Sequence, residues 1–240
     1  MTKEQNRTIW ILILSSSLIL AITMGVRQSL GLFIAPINSS TSLDIISISL
    51  ALAIGQFIWG LTQPIFGAIA DKKGSFGVLV FGALLMFFGL ILTPFLTSEF
   101  SIILTLGLLV AAGAGAGSFS ILIGATAKNL PNEKRSFAGG FINAGGSFGQ
   151  FIFAPLAQAI INGFGWIYSM IALAFSTLLT IPLAKILSSK SKKEETNLTN
   201  VIENDIKLKE QLKVALKDKS YLYLNLGFFY LWISCSFFSY

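Results

Sequence analysis

The chain has 240 residues, of which 54% are hydrophobic and 12% are charged, and its mean hydropathy is +0.76. Soluble domains carry about 25% charged residues, so this composition excludes an ordinary soluble protein. The net charge of +6 does not indicate nucleic-acid binding, because the cations lie in short segments between long apolar runs. With Cys235 as the only cysteine and no histidine, the chain cannot form a disulfide framework, a Cys/His zinc site or a Ser–His–Asp triad. We therefore predict no metal and no cofactor.

Apolar runs long enough to cross a bilayer, which takes about 20 residues, recur six times along the chain. We predict transmembrane helices at residues 8–37, 43–70, 75–96, 100–127, 137–162 and 164–187. Backbone groups in hydrocarbon have no water to bond, so each run must satisfy its own hydrogen bonds as a helix. The first run is longer than the apolar region of a signal peptide and is predicted to be a retained helix. The sequence therefore predicts an all-α membrane protein.

The positions of the basic residues predict the orientation of these helices. Every Lys and Arg except Arg27 lies before the first predicted helix, in the second or fourth loop, or between residues 185 and 219. The first, third and fifth loops contain none. The positive-inside rule places the basic side, together with the N-terminus, in the cytoplasm. We therefore predict a multi-pass protein of the plasma (inner) membrane, with the lipid bilayer as its surroundings.

The composition changes after the six-helix segment, which we take as residues 1–187. Residues 188–220 are rich in Lys, Glu and Asn, which is typical of a solvated cytoplasmic linker. Within it, apolar residues recur near helical spacing at 201–216, which predicts either an amphipathic helix on the inner membrane surface or a solvated helical linker. Residues 221–240 are apolar again and are predicted to begin a seventh transmembrane helix, in a chain that we expect to be truncated.

The second loop reads GAIADKKG at positions 67–74. This resembles the signature between the second and third helices of the major facilitator superfamily, which has a Gly, then Leu or Ala and Asp, a basic residue, and Gly. Gly67 is expected to allow close helix approach, and Gly74 to allow a tight turn. Asp71 is expected near helix N-termini and cations. The alternative is an ordinary charged reversal between two helices.

Other segments resemble the oxalate/formate antiporter and monocarboxylate-transporter-like branch of this superfamily. They are GVRQSLGLF at 25–33 with Pro36, WG and QP within 59–64, Arg135 with AGG at 138–140, GGSFGQ at 145–150, and FFY at 228–230. The resemblance implies two six-helix halves, each made of two inverted three-helix repeats, with a substrate cavity between the halves. This chain would be the N-terminal half, and its partner would be the missing C-terminal half of the same transporter. The resemblance implies a conformational motif of Gly67, Asp71, Lys72, Gly74 and Arg135.

The sequence also departs from other branches of the superfamily. Many members carry an arginine in the fourth helix, but residues 100–127 contain none. The Gly-Pro-x-x-Gly-Gly element of drug/proton antiporters is absent from the fifth predicted helix. Both departures argue against drug efflux.

Apart from Lys185 at the end of the sixth span, Arg27 is the one cation within a predicted span. An arginine at the helix centre costs about 2.5–3.5 kcal/mol on insertion scales. Apart from Asp44 at the border of the second span, the spans contain no acidic residue. A carboxylate substrate would therefore supply the counter-ion, through two parallel hydrogen bonds. The alternative is that Arg27, roughly 27 Å along an ideal helix from Ile9, snorkels to the outer interface.

Uncharged polar residues within the spans extend this hypothesis. The predicted substrate-binding residues are Arg27, Gln28, Gln56, Asn143 and Gln150. Asn143 and Gln150 are seven residues apart and therefore share one helix face. Amides in membrane helices can equally bond only to neighbouring helices, so these side chains have a structural alternative.

These features predict a transporter and not an enzyme. The predicted function is secondary active or facilitative transport of a small organic anion, a mono- or dicarboxylate, by alternating access. Apart from Asp44 at the border of the second span, the spans lack a titratable acidic or histidine group, which favours anion exchange or facilitated flux over proton symport. The alternatives are a non-transporting or truncated membrane scaffold that lacks the second half, and a major facilitator transporter of a different small solute.

Overall fold

The computed structural model describes residues 3–96 and 98–191. In these residues, six helices are long and apolar enough to cross a membrane: α1 (Asn6–Ser40), α2 (Ile45–Lys73), α3 (Ser75–Phe95), α4 (Glu99–Ala127), α5 (Asn132–Phe164) and α6 (Trp166–Ser188). The predicted all-α fold and the six predicted spans are confirmed. The predicted linker beyond residue 191, the predicted helix at 201–216 and the predicted seventh helix at 221–240 lie outside the described residues.

The polar connections between α2 and α3 and between α4 and α5 are shorter than predicted. α2 continues through Asp71 to Lys73, and Gly74 alone separates it from α3 with a φ of 88°, a conformation that favours glycine. α5 begins at Asn132, five residues before the predicted start, directly after Pro131. Hydropathy locates the part of a helix that lies in hydrocarbon, whereas these helices extend beyond it with polar residues that water can solvate.

Two of the six helices are internally irregular. The α-helix that begins at Lys3, just ahead of the membrane-capable part of α1, ends at Ser29, and a 3₁₀ turn at Leu30–Phe33 and a second α-helix at Ile34–Ser40 follow it. In α4, the successive segments are α-helix at Glu99–Ile102, π-helix at Ile103–Val110, and α-helices at Ala111–Ala116 and Phe119–Ala127. Between the last two segments, Ser118 is extended, with a ψ of 160°, so the helix is broken there.

The helices pair in a pattern that repeats between the two halves of the bundle. α1 packs mainly on α5, as α4 packs mainly on α2. α3 contacts α4, as α6 contacts α1, and α3 and α6 contact each other. Exchanging the first three helices for the last three leaves this set of pairs unchanged, as expected for two three-helix repeats. In the apolar windows of α1 and α4, 61% and 67% of residues are buried, against 17% in α2 and in α5, so α1 and α4 form the core.

Glycines set the closest helix approach, which lies between α1 and α5. A Cβ added at Gly149 would overlap the carbonyl oxygen of Ala21, and one added at Gly145 would overlap the Ser17 hydroxyl. In the reverse direction, a Cβ at Gly25 would lie 2.6 Å from the ring of Phe153. Small residues let membrane helices approach until backbone atoms touch, and these glycines serve that purpose here.

Candidate functional site

Arg27 lies at the point where α1 changes from α-helix to the 3₁₀ turn. Its Nη2 donates a hydrogen bond to Oε1 of Gln56, and its Cζ lies 3.9 Å from the centroid of the Trp59 ring. Gln56 and Trp59 are three residues apart on α2, so both reach Arg27 from one helix face. α2 therefore holds the guanidinium group from two sides, by an amide oxygen and by an aromatic face.

Neither contact neutralises the charge of Arg27. An amide oxygen accepts a hydrogen bond without carrying a formal charge, and an aromatic ring offers only its quadrupole. Among the described residues, the one salt bridge joins Lys128 and Asp71, which does not involve Arg27. The guanidinium has five N–H donors in a fork that matches a carboxylate. The arrangement therefore retains both the charge and the donors that an anion would use.

A cavity of about 200 Å³ opens beside Arg27, between α1, α2 and α4. Its polar lining consists of Arg27, Gln28 and Gln56. The remaining lining residues are small or apolar: Leu30, Gly31, Leu52, Gly55, Leu106, Val110 and Ala111. Pockets for drug-sized ligands have volumes of about 300–1,000 Å³, so this cavity fits a molecule of only a few heavy atoms. One charged end and an apolar wall suit a small amphipathic anion.

The α4 wall of the cavity comes from its π-helical segment. Leu106 and Val110 belong to Ile103–Val110, and Gly107 between them lets α2 approach closely. A Cβ added at Gly107 would lie 2.9 Å from the carbonyl oxygen of Ala51. π-Helical turns are uncommon and occur frequently at functional sites. Here the turn brings α4 against the same part of α2 that holds Arg27.

The structure brings together three of the five predicted substrate-binding residues. Arg27, Gln28 and Gln56 line one cavity, whereas Asn143 and Gln150 on α5 do not line it. α5 turns Gly145 and Gly149 toward α1, while Asn143 is exposed and Gln150 is half-buried. The two amides therefore lie outside this cavity, and their role as substrate contacts stays a prediction.

Trp59 is the residue of this site that sequence reasoning did not select. It was noted only as part of the segment at 59–64 that resembles the antiporter branch. The available signal was its spacing of three from Gln56, which puts both side chains on the same side of α2. That signal required knowing that this face of α2 meets Arg27, which depends on how the helices pack.

The residues of the predicted conformational motif lie in or beside the connections between α2 and α3 and between α4 and α5. Asp71 forms an ion pair with Lys128 at the end of α4, with 3.5 Å between Oδ1 and Nζ. Arg135 donates from Nε to the Leu130 carbonyl oxygen at 3.2 Å, and Lys72 lies in the last turn of α2. The Asp71–Lys128 pair joins the second and fourth connections, whereas the Arg135 hydrogen bond lies within the fourth.

The expected close helix approach at Gly67 is wrong for the described helices. A Cβ added at Gly67 would meet no atom within 4 Å. The reason is that Gly67 lies on α2, whose surface is largely left open by the other described helices. Gly74, in contrast, has the positive φ that the tight turn requires.

Comparison with curated proteins finds similarity to proteins named as monocarboxylate transporters and as an oxalate:formate antiporter. It is 27% identical to monocarboxylate transporter 13 of Rattus norvegicus over 187 residues, covering 78% of this chain and 43% of that protein. It is 27% identical to the oxalate:formate antiporter of Oxalobacter formigenes over 153 residues, covering 64% of this chain and 36% of that protein. It is 26% identical to monocarboxylate transporter 12 of Homo sapiens over 157 residues, covering 65% of this chain and 30% of that protein. The chain thus spans less than half the length of these relatives.

The family assignment rests on a longer match than any of these pairs. The sequence profile of the Major Facilitator Superfamily matches residues 16–240. This range begins within α1 and includes all of the other five helices. The six membrane-capable helices and their paired packing agree with an N-terminal half of that fold. This chain therefore belongs to the Major Facilitator Superfamily and is a multi-pass membrane protein.

Proposed function

We propose that this chain is the N-terminal half of a transporter that moves a small organic anion, a mono- or dicarboxylate, across the plasma (inner) membrane by alternating access. The observation that carries the proposal is the uncompensated charge of Arg27 at a cavity of about 200 Å³. A half-buried cation within a membrane span needs a partner, and a carboxylate substrate matches its fork of donors. Relatives named as monocarboxylate transporters and as an oxalate:formate antiporter support the same substrate class.

In this proposal, Arg27 binds the carboxylate, and Gln28 and Gln56 contribute amide groups beside it. Asn143 and Gln150, which lie outside the Arg27 cavity, would contact substrate only if the second half of the transporter closed against α5. The open faces of α2 and α5 support such a second half as the partner of this chain. The protein acts by conformational change and not by catalysis.

The conformational motif is proposed to act on the cytoplasmic side. The Asp71–Lys128 pair joins α2 to α4, and both side chains are mostly exposed, at 73% and 57%. Exposed pairs add little stability, so its proposed role is to fix the relative position of two helix ends in one transport state. Lys72, Gly74 and Arg135 would shape the same surface, and Gly67 would face the second half.

Uptake of labelled carboxylates tests this function directly. Membrane vesicles that contain this chain together with the rest of its transporter should accumulate labelled formate, acetate or oxalate. An excess of the unlabelled anion should compete, whereas a neutral analogue such as acetamide should not. Uptake that no organic anion competes with would refute the anion assignment and leave the transporter of a different solute as the better interpretation.

Substituting Gln56 with Glu is expected to lower uptake at least about tenfold. The new carboxylate would lie where the amide oxygen now accepts from Arg27, and the resulting ion pair would compete with the substrate anion for the same donors. Gln56→Met is the matched control, because it removes the amide without adding charge and should lower uptake less. Equal uptake by the two variants would argue against an anion at Arg27.

Labelling of single cysteines tests the proposed orientation. In a Cys235→Ser background, Ser39→Cys lies at the end of α1 and Glu133→Cys at the start of α5, and both positions are exposed. A membrane-impermeant maleimide added to intact cells should label Cys at 39 and not at 133, and opening the membrane should expose the second. The reverse pattern would place the N-terminus outside.

A further inference from the structure

The break in α4 provides chemistry that the Arg27 cavity does not use. At Gly117 and Ser118 the chain leaves helical geometry and then starts the segment Phe119–Ala127. The first turn of a helix leaves backbone N–H groups without partners inside the helix, and the aligned peptide dipoles make that end positive. Ser118 occupies the N-cap of this segment but makes no capping hydrogen bond. A positive helix end therefore lies inside a membrane-crossing helix.

Two buried polar groups lack partners, one at the break and one in the Trp59 ring beside Arg27. In the part of the chain that the structure describes, the buried side-chain atoms without a hydrogen-bond partner are Ser118 Oγ and Trp59 Nε1. Ser118 is 1% exposed. Buried hydroxyl and indole groups are normally bonded, because an unpaired one costs about 1–3 kcal/mol. Both groups can donate a hydrogen bond, which is the chemistry that an anion requires.

The break lies one helical turn from Arg27. Thr23, four residues before Arg27 on the same face of α1, has its Oγ1 3.3 Å from the carbonyl oxygen of Gly117. On the α2 side, a Cβ added at Gly115 would lie 3.3 Å from the Trp59 carbonyl oxygen. Trp59 therefore connects the two places, since its ring also lies under the guanidinium of Arg27.

The charge around the break also suits an anion. α4 contains no acidic residue after Glu99, and residues 5–43, which include all of α1, contain none. The first two residues of the segment, Phe119 and Ser120, are exposed, so its N-terminal turn is not enclosed by the described helices. Half-helix N-termini at the middle of a membrane are known to receive anionic groups in secondary transporters.

We propose that the N-terminus of Phe119–Ala127, with the hydroxyl of Ser118, is a second carboxylate subsite. It lies one turn of α1 from Arg27, toward the N-terminus of α1. The inference rests on the proposed transport of an organic anion. The two subsites would bind the anion in succession as it crosses the membrane, first at the guanidinium and then at the broken helix. A carboxylate with two charged ends would engage both subsites together if its length spans one turn.

Asp and Asn substitutions at the break test this subsite. Both residues are good N-caps and have nearly the same size, so they differ only in placing a negative charge at the helix end. Equilibrium binding of labelled formate to the purified full chain in lipid nanodiscs is the measurement. We expect Ser118→Asp to raise the Kd for formate at least about tenfold relative to Ser118→Asn. Because Ser118 is buried, the exposed Ser120 offers a second pair, Ser120→Asp and Ser120→Asn, with the same expected order.

The Arg27→Gln background separates this subsite from the first one. There, a carboxylate at position 118 can no longer act by pairing with Arg27, yet the Asp variant should still bind formate more weakly than the Asn variant. If wild-type protein binds formate, Arg27→Gln weakens binding, and the Asp and Asn variants are equal, the proposed function stands and the second subsite is wrong. If Arg27→Gln has no effect and the variants differ, the subsite stands without the Arg27 anchor. If wild-type protein binds no formate, acetate or oxalate, both proposals fail.

Discussion

Replacing Arg27 with Gln is expected to lower carboxylate uptake roughly 30- to 700-fold. Removing one partner of a buried charged hydrogen-bonded pair costs about 2–4 kcal/mol, and each 1.4 kcal/mol is a factor of ten in affinity. The more conservative change, Arg27→Lys, should also lower uptake, by about tenfold. Lysine retains the charge but loses the planar fork, which now stacks on Trp59 and bonds to Gln56 at the same time. Initial rates of uptake into vesicles are the measurement.

Arg7→Lys is the matched control for this prediction. Arg7 lies near the start of the same helix and is exposed, so the same chemical change should leave uptake and protein level unchanged. Full uptake of the true substrate by Arg27→Lys would contradict a fork-shaped carboxylate contact. It would support the alternative in which this residue serves only to anchor α1 at the interface.

Replacing Gly149 with Ala is expected to destabilise the bundle by about 3 kcal/mol or more. The added methyl group would occupy the position of the Ala21 carbonyl oxygen, and a backbone atom in a packed helix cannot rotate away as a flexible side chain can. Overpacking of a core typically costs about 1–3 kcal/mol, and a clash with backbone lies at the upper end. Thermal unfolding of the purified protein in detergent, followed by circular dichroism, measures the change.

Gly140→Ala tests whether this effect comes from packing and not from the loss of a glycine. Gly140 lies on the same helix, α5, is exposed, and a Cβ added there would meet no atom within 4 Å. In a helix, Ala is favoured over Gly by about 0.5–1 kcal/mol, so this variant should be as stable as the original or slightly more stable. If both variants unfold at the same temperature, α1 and α5 do not touch as described.

The six helices could be predicted from the sequence because the bilayer imposes the same requirements on each crossing segment. Each crossing must be apolar over about 20 residues and must bond its own backbone, so the requirement is written into each segment separately. The same reasoning misplaced the start of α5, because residues 132–136 form a helical turn that is polar. Hydropathy identifies segments that are suited to contact with lipid, and this polar turn is not such a segment.

The candidate site could be predicted only in part. Arg27 was evident because a cation within an apolar run has a cost that must be offset somewhere. Gln28 and Gln56 followed as polar neighbours, and the structure does bring them to one cavity. Asn143 and Gln150 had the same local signal, yet α5 uses its neighbouring face to pack on α1 and places them elsewhere. A polar residue in a span therefore does not by itself indicate whether its side chain lines a cavity.

By itself, the sequence predicted the six membrane-capable helices of the described residues, roughly where each one lies, and a cation within the first of them. These are properties of single segments in a uniform apolar solvent. Only the tertiary structure decided that Trp59 lies under Arg27, that α1 and α5 touch along glycines, and that α4 is broken at Ser118. Those features depend on which helix faces meet, and that choice results from the packing of all six helices together.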